Sequence, residues 1–171
     1  MSTVSAISAK SLRVEPHVSW RLLLTVHAVL IREVDQALRE AGQIPFEAYD
    51  VLITLKEAPD GRMRMSDLAE ATLLSHSGIS RSVARLALQG LLVREQSEQD
   101  GRVFYAVLTP AGRTALEEAW PVYREVIEKR YIQFCHDGTA TRMNRFLGRV
   151  LEDYDVGRFA PIVAEKRIDA P

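Results

Sequence analysis

The chain has 171 residues, of which 47% are apolar and 26% are charged, and its formal net charge is −1. This length and apolar content are enough for a single domain with its own core. Because the net charge is near zero, binding of nucleic acid through a basic field over the whole surface is excluded, and such binding would need a local basic patch.

The sequence predicts a cytoplasmic protein. It contains no run of about eighteen apolar residues, which a membrane-spanning helix would need. Residues 1–15 lack the apolar core of a signal peptide, so we expect them to form a flexible N-terminal arm. The only cysteine, Cys135, excludes an internal disulfide and is typical of a reducing compartment. We expect it to be a mostly buried structural thiol, the alternative being a redox sensor.

A long helix is predicted within residues 16–44. Pro16 suits the first helical position, no helix breaker follows it, and Gly42 ends the helix. Such a helix, apolar on more than one face, is either the central core helix of a monomer or a helix shared with a second subunit. The apolar residues concerned are Leu22, Leu23, Val26, Val29, Leu30, Val34, Ala37 and Leu38.

Three short elements are predicted next. A proline opens a helix over Phe46–Glu57, and the turn Pro59-Asp60-Gly61 follows it. Met63–Met65 is predicted to be a short strand that pairs with strands further along the chain. A short helix then follows near Ser66–Thr72, with Ser66 as its N-cap.

A second short helix is predicted from Ser75 or Ser77 to Gln89. Ser75 is its expected N-cap, and Gly90 stands just past its C-terminus. Apolar residues recur at helical spacing, whereas hydroxyl and arginine side chains lie on the other faces and no acidic residue occurs. Two short helices at this spacing indicate a helix-turn-helix, and the outer face of the second has the composition that suits a major groove.

A β-hairpin is predicted directly after this helix. Leu91–Glu95 alternates weakly, and Val103–Leu108 is rich in β-branched and aromatic residues. Asp100-Gly101 between them is a strong hairpin-turn dipeptide, because the glycine accepts a positive φ. A hairpin that follows a helix-turn-helix is a wing, and Arg102 at its tip suits a narrow, negatively charged minor groove.

The following residues are predicted to be helical again. Thr109 caps a long helix, in which Pro121 should introduce a kink or a break. A last amphipathic helix begins at Thr139 or Thr141, and residues 161–171 are expected to form an irregular tail.

The stretch from Ser66 to Arg113 resembles the winged helix of the MarR family of bacterial transcription regulators. The resemblance implies a mainly α fold with a small β-wing, in which a winged helix-turn-helix at residues 45–109 is flanked by dimerisation helices at residues 16–44 and 110–160. It also implies a homodimer with two recognition helices about one DNA turn apart, and hence a near-palindromic operator. The matching elements are Leu68-Ala69, Ser80-Arg81, Val83, Arg85-Leu86, Gly90-Leu91, Asp100 with Arg102, Leu108-Thr109 and Gly112-Arg113.

The residues expected to bind double-stranded DNA lie on the second short helix and on the wing. Arg81 and Arg85 are four residues apart and share a helix face, but Arg85 could instead brace the wing by pairing with Asp100. The family's Asp-x-Arg wing pattern is present as Asp100-Gly101-Arg102, which leaves the minor groove to Arg102. The complete predicted set is Ser75, His76, Ser77, Ser80, Arg81, Arg85, Asp100 and Arg102.

The resemblance further implies a small aromatic effector that releases a repressor from its operator. On the first helix, Trp20 could stack on an aromatic ring, and Arg21 and His27 could bind an anion. Trp20 could equally belong to the core of the dimer. We expect no cofactor and no metal, because the four histidines are scattered without metal-ligand spacing.

The sequence therefore predicts a DNA-binding transcription regulator, and two other classes of protein remain as alternatives. One is a winged-helix interaction module without DNA binding. The serine and arginine side chains of a recognition helix that carries no acidic residue favour DNA over this alternative. The other is an enzyme, against which the absence of a catalytic motif or of a carboxylate, histidine or thiol constellation counts.

Overall fold

The computed structural model describes residues 16–72 and 76–152, except the side chains of His76 and Ser77. The predicted N-terminal arm, the C-terminal tail and the expected N-cap Ser75 therefore lie outside the described residues. The described elements are, in chain order, α1 (Pro16–Glu40), α2 (Phe46–Glu57), a 3-10 turn (Pro59–Gly61), β1 (Arg62–Arg64), α3 (Met65–Ala71), α4 (His76–Leu88), β2 (Leu92–Gln96), β3 (Phe104–Leu108), α5 (Pro110–Arg130), a second 3-10 turn (Ile132–Phe134) and α6 (Thr139–Glu152).

The three strands form a small antiparallel sheet in the order β1-β3-β2, which confirms the mainly α fold with a β-wing. The pairing sets Arg64 and Glu95 on either side of Tyr105. Because side chains alternate between the two faces of a sheet, one face carries the buried Leu92 and Ala106. The opposite face is the outer face of the wing, and Arg64, Tyr105 and Glu95 lie on it.

The core lies where α2, α3, α4 and the inner face of the sheet meet, with α5 and the end of α1 packed against it. Burial of these apolar side chains is the main favourable contribution to folding. Its fully buried residues include Leu38, Leu52, Leu55, Leu68, Ile79, Val83, Leu86, Leu92 and Leu116.

The N-terminal half of α1 is largely exposed in a single chain. Val34 and Leu38 near its C-terminus are buried, but Trp20 is 60% exposed and Leu24 is 49% exposed. A central core helix of a monomer would be buried along its whole length, so that interpretation is wrong. Helix α6 also keeps apolar side chains in solvent, and Phe146 is 48% exposed.

Two predicted helix ends are confirmed. At the end of α4, the Leu91 amide donates to the Leu86 carbonyl (3.0 Å) and the Gly90 amide donates to the Ala87 carbonyl (3.0 Å). Gly90 adopts φ 72°, so this is a glycine-terminated Schellman motif. At the start of α5, the Thr109 hydroxyl accepts a hydrogen bond from the Gly112 amide at 3.1 Å.

Two predictions about the winged helix are wrong in detail. Helix α3 begins at Met65, so Ser66 lies in its first turn and donates to Asp67 (3.0 Å) instead of capping the helix. The reason is that the pairing of β1 with β3 extends to Arg64, so α3 starts directly after it, one residue before the predicted start at Ser66.

The prediction for the hairpin turn is wrong as well, because Gly101 does not adopt a positive φ. The loop is longer than a two-residue hairpin turn, since the Ser97 amide bonds to the Val103 carbonyl (2.9 Å).

Of the kink or break predicted at Pro121 in the helix after the wing, the break is wrong. Helix α5 continues through Pro121 without interruption. It packs against both α1 and α2, and this packing outweighs the loss of one amide donor. None of the helices within residues 16–72 and 76–152 is long and apolar enough to cross a membrane.

Candidate nucleic-acid interface

Helix α4 presents a polar face to solvent because its apolar face is fixed in the core. Ile79, Val83 and Leu86 are buried, whereas Ser80 and Arg81 on the same helix are exposed. The apolar residues are spaced by three and four positions, so one side of the helix is committed to packing. The other side, which carries a hydroxyl and arginines, faces solvent.

The predicted residues at the start of α4 are described only in part. Ser75 lies outside the described residues, and for His76 and Ser77 the structure gives the backbone alone. Both residues belong to the first turn of α4, which begins at His76. The structure thus places their backbone at the helix N-terminus but leaves their proposed DNA contacts as predictions.

Arg85 does not pair with Asp100. Its guanidinium lies 3.3 Å from the Glu47 carboxylate in the first turn of α2. The idea that Arg85 braces the wing is therefore wrong, because α4 packs against α2 and its last turn faces the start of that helix. Both side chains are about half-exposed, so the pair is a surface ion pair that contributes only about 0–1 kcal/mol.

Asp100 shapes the wing loop that carries Arg102. The Asp100 carboxylate accepts a hydrogen bond from the Arg102 amide at 3.0 Å, and the Asp100 carbonyl accepts one from the Val103 amide at 2.9 Å. These bonds hold a tight turn with Gly101 and Arg102 at its centre. The side chains of Asp100 and Arg102 are exposed at the tip of the hairpin. The aspartate therefore has a local role in orienting the arginine.

The structure brings together residues that the sequence reading missed. On the outer face of the wing, the Arg62 guanidinium lies 3.9 Å from the centre of the Tyr105 ring. The Arg64 Nε donates to the Tyr105 hydroxyl at 3.2 Å. This hydrogen bond, followed by the charge interaction with Tyr105, raises the pKa of Arg64 above its ordinary value. The alternation Arg62-Met63-Arg64 could have shown that both arginines share a face, but not that Tyr105 lies between them and β2.

An aromatic cluster joins the winged helix to α5. The ring of Tyr123 stacks on Tyr49 of α2 with a centroid distance of 4.7 Å, and it also stacks on Trp120 and Phe46. Burial raises the pKa of the Tyr49 hydroxyl, with smaller contributions from Tyr123 and Glu57. This cluster fixes the position of α5 relative to α2.

The predicted effector residues all lie on α1 but do not belong to the lining of the cavity between α1 and α5. Trp20, Arg21 and His27 are exposed in the single chain. A cavity of about 370 Å³ lies further along, between α1 and α5. It is lined by Glu33, Gln36, Ala37, Glu40, Val122, Glu125, Val126, Lys129 and Arg130.

Cys135 follows α5 and is half-buried in the single chain. Its thiol lies 3.6 Å from the Tyr131 carbonyl.

In the described part of the chain, no group of three or more histidine, cysteine or acidic side chains could hold a metal ion.

Comparison with known proteins identifies the fold and the family. The model of the MarR family matches residues 43–103, which include α2, the helix-turn-helix and most of the wing. The chain is 30% identical to AbsC, a MarR family transcriptional regulator from Streptomyces coelicolor, over 83% of this chain and 95% of that one, with a TM-score of 0.71.

The chain belongs to the MarR family.

Two further solved structures are similar to this chain. The Streptomyces coelicolor MarR regulator Sco3205, solved in complex with DNA, is 26% identical, with a TM-score of 0.73 over 84% of this chain and 90% of that one. Bordetella bronchiseptica BpsR, whose DNA binding is regulated by 6-hydroxynicotinic acid, is 19% identical over 78% of this chain and 98% of that one, with a TM-score of 0.67. No curated protein sequence matches the chain. The chain is thus related to transcription regulators.

Proposed function

We propose that the protein is a homodimeric repressor that binds a near-palindromic operator through α4 in the major groove and the wing in the minor groove. The observation that carries this proposal is the exposed face of α4, on which Ser80, Arg81 and Arg85 occur in a helix without any acidic residue. Arginines reach phosphates and guanine edges, and short hydroxyl side chains allow close approach to the groove. Arg102 at the exposed tip of the wing supports the minor-groove contact.

The proposed DNA-binding set also includes Ser75, His76, Ser77 and Asp100. The first three would lie at the end of α4 that leads into the groove, where a helix N-terminus favours phosphate. We assign Asp100 an indirect role in orienting Arg102, because its carboxylate accepts a hydrogen bond from the Arg102 amide. A regulator of chromosomal genes acts in the cytoplasm, in agreement with the expected location.

Residues 16–44 and 110–160 are proposed to form the dimer. The exposed apolar side chains of α1 and α6, including Trp20 and Phe146, support this assignment because they would be costly to leave in water. Residues 45–109 would then form the DNA-binding unit of each subunit. Two such units related by a two-fold axis read half-sites about one helical turn apart.

The proposed effector is a small aromatic anion. The regulation of BpsR by 6-hydroxynicotinic acid supports an effector of this class. Trp20, Arg21 and His27 lie on one exposed helix, and their side chains offer a ring for stacking and cations for a carboxylate. The effector would weaken DNA binding and so relieve repression.

Fluorescence anisotropy with the promoter duplex next to the gene tests DNA binding. Wild type is compared with Arg81→Ala and Arg102→Ala at several salt concentrations. Each substitution should weaken binding, and each lost phosphate contact should reduce the slope of log affinity against log salt by about 1. Arg124→Ala is the control, because Arg124 is exposed on α5 and pairs with Glu128 at 3.2 Å.

Wild-type protein that fails to bind at low salt would exclude the DNA-binding proposal and favour an interaction module.

The dimer is tested separately by sedimentation equilibrium with Phe146→Glu, which should give monomers and weaker operator binding. Arg149→Glu on the same helix is the matched control for introducing a glutamate. A Phe146→Glu protein that stays dimeric would remove α6 from the proposed interface.

A further inference from the structure

The outer face of the wing carries two arginines that differ in how their charge is balanced. Arg62 lies 3.7 Å from Glu95, so a carboxylate on the neighbouring strand compensates it. For Arg64, the part of the chain that the structure describes offers no carboxylate within ion-pairing distance. Arg64 is exposed, and it is the Nε of its guanidinium that bonds Tyr105. Two carboxylates, Asp67 and Asp100, act on its charge only from beyond that distance. An oriented guanidinium without a direct carboxylate partner suits a phosphate.

The sheet register puts Arg64 at the end of the wing nearest the loop. Arg64 is opposite Tyr105, and the only remaining pair before the loop joins Gln96 to Phe104. Tyr105 follows Arg102 by three residues, so their Cα atoms are at most about 10 Å apart. Phosphates of one DNA strand advance about 3.4 Å per nucleotide along the axis, so a side chain at this distance can reach the backbone beside a groove that Arg102 enters.

Tyr105 holds the Arg64 side chain in place. Its hydroxyl accepts the Arg64 Nε–H at 3.2 Å, and its ring centre lies 5.9 Å from the Arg64 guanidinium carbon. The Arg62 guanidinium carbon lies 3.9 Å from the centre of the same ring. A long side chain that is ordered before binding loses less conformational entropy when it meets its ligand.

We propose that Arg64, positioned by Tyr105, binds a DNA backbone phosphate beside the groove that receives Arg102. This inference rests on the proposed DNA-binding function and adds β1 to the interface as a third contributing element. It assigns a phosphate contact to a residue that lies outside both the recognition helix and the wing loop.

The test compares Arg64→Gln with Arg62→Gln on the promoter duplex by fluorescence anisotropy from low to moderate salt. Both changes remove one positive charge from the same face, and both residues are exposed. Loss of one phosphate contact should lower affinity about eightfold near 0.1 M salt and reduce the salt slope by about 0.9. Arg62→Gln should change both quantities much less, because Glu95 already compensates Arg62.

Two further variants separate charge from position. Arg64→Lys keeps the charge, so it should restore most of the salt slope that Arg64→Gln loses. Tyr105→Phe removes the acceptor for Nε without removing charge, so it should lower affinity a few-fold and leave the slope unchanged. Thermal unfolding of each variant shows whether the fold is retained.

The outcomes distinguish this inference from the proposed function. Wild-type affinity and slope in Arg64→Gln, together with weakened binding in Arg102→Ala, would overturn the Arg64 contact and leave DNA binding intact. Equal losses of affinity in Arg62→Gln and Arg64→Gln would mean that both arginines act only through the overall charge of this face. That result would also overturn the proposed contact of Arg64 with a phosphate. Wild-type protein that does not bind the duplex would overturn both proposals.

Discussion

The Arg85 guanidinium of the recognition helix lies 3.3 Å from the Glu47 carboxylate at the start of α2. The residue before Glu47 is tied to α1, since the Phe46 amide donates to the Asp35 carboxylate at 2.9 Å. Helices α1, α2 and α4 are therefore joined by two adjacent polar contacts. If Arg85 contacts DNA as proposed, Glu47 competes with the DNA for its guanidinium.

Glu47→Gln should strengthen DNA binding. The substitution removes the carboxylate that holds Arg85 and leaves the arginine available to a phosphate. Since an exposed ion pair contributes about 0–1 kcal/mol, we expect up to about fivefold higher affinity at low salt and little change in the melting temperature. Glu118→Gln, an exposed change of the same charge on α5, is the control in an anisotropy titration. Weaker binding by Glu47→Gln would mean that Glu47 positions Arg85 for DNA.

Gly112→Ala should destabilise the fold strongly. A Cβ at this position would overlap the Leu91 carbonyl oxygen and would lie 2.7 Å from Leu108 Cδ1. Neither the backbone nor the buried leucine can move without disturbing the wing, so we expect a loss of about 3 kcal/mol in the free energy of unfolding. Urea denaturation measures this loss.

Gly148→Ala is the matched control for that substitution. A Cβ at Gly148, inside α6, meets nothing within 4 Å. Alanine in a helix interior should raise stability by about 0.5–1 kcal/mol. A similar loss of stability in both variants would show that the close contact at Gly112 is not the cause.

Ser82→Ala should stabilise the protein. Ser82 is fully buried in α4, and its hydroxyl oxygen has no hydrogen-bond partner among the described residues. A buried polar group without a partner costs about 1–3 kcal/mol, so we expect the free energy of unfolding to rise by about 1 kcal/mol.

Thr72→Val serves as the comparison for Ser82→Ala. Thr72 is also buried, but its hydroxyl donates to the Leu68 carbonyl at 2.9 Å. Its loss should lower stability, so chemical denaturation of the two variants should give opposite signs. A destabilised Ser82→Ala protein would indicate that the hydroxyl has a partner in the folded state.

Alkaline pH should destabilise the fold through Tyr49. Burial raises the pKa of its hydroxyl, and burial also raises that of Tyr123. Below about pH 10, both tyrosines are neutral in the folded and the unfolded chain. Their contribution to the free energy of unfolding is then fully present. Above that pH, the unfolded chain ionises first, so the free energy of unfolding should fall by about 1.4 kcal/mol per pH unit for each tyrosine.

Tyr49→Phe should reduce this pH dependence without abolishing it, because burial also raises the pKa of Tyr123 and of Tyr131. Denaturant unfolding between pH 8 and 11.5 measures it, with Tyr105→Phe on the outer face of the wing as the control. An unchanged pH dependence in Tyr49→Phe would mean that other groups cause the alkaline loss.

The sequence by itself determined the order of the elements and the polar face of the recognition helix. Phe46–Glu57 matches α2 residue for residue, and Gly90 and Thr109 end and begin helices as predicted. These features depend on residues only a few positions apart, such as a capping side chain and the amide whose hydrogen bond it accepts. Local spacing is therefore sufficient to predict them.

Only the tertiary structure decided which distant side chains meet. It pairs Arg85 with Glu47 instead of Asp100, sets Tyr105 beside Arg62 and Arg64, and keeps α5 continuous through Pro121. The physical reason is that these contacts depend on helix packing and strand register. Both are set by the burial of the whole core, whereas local residue patterns fix only which face of an element is apolar.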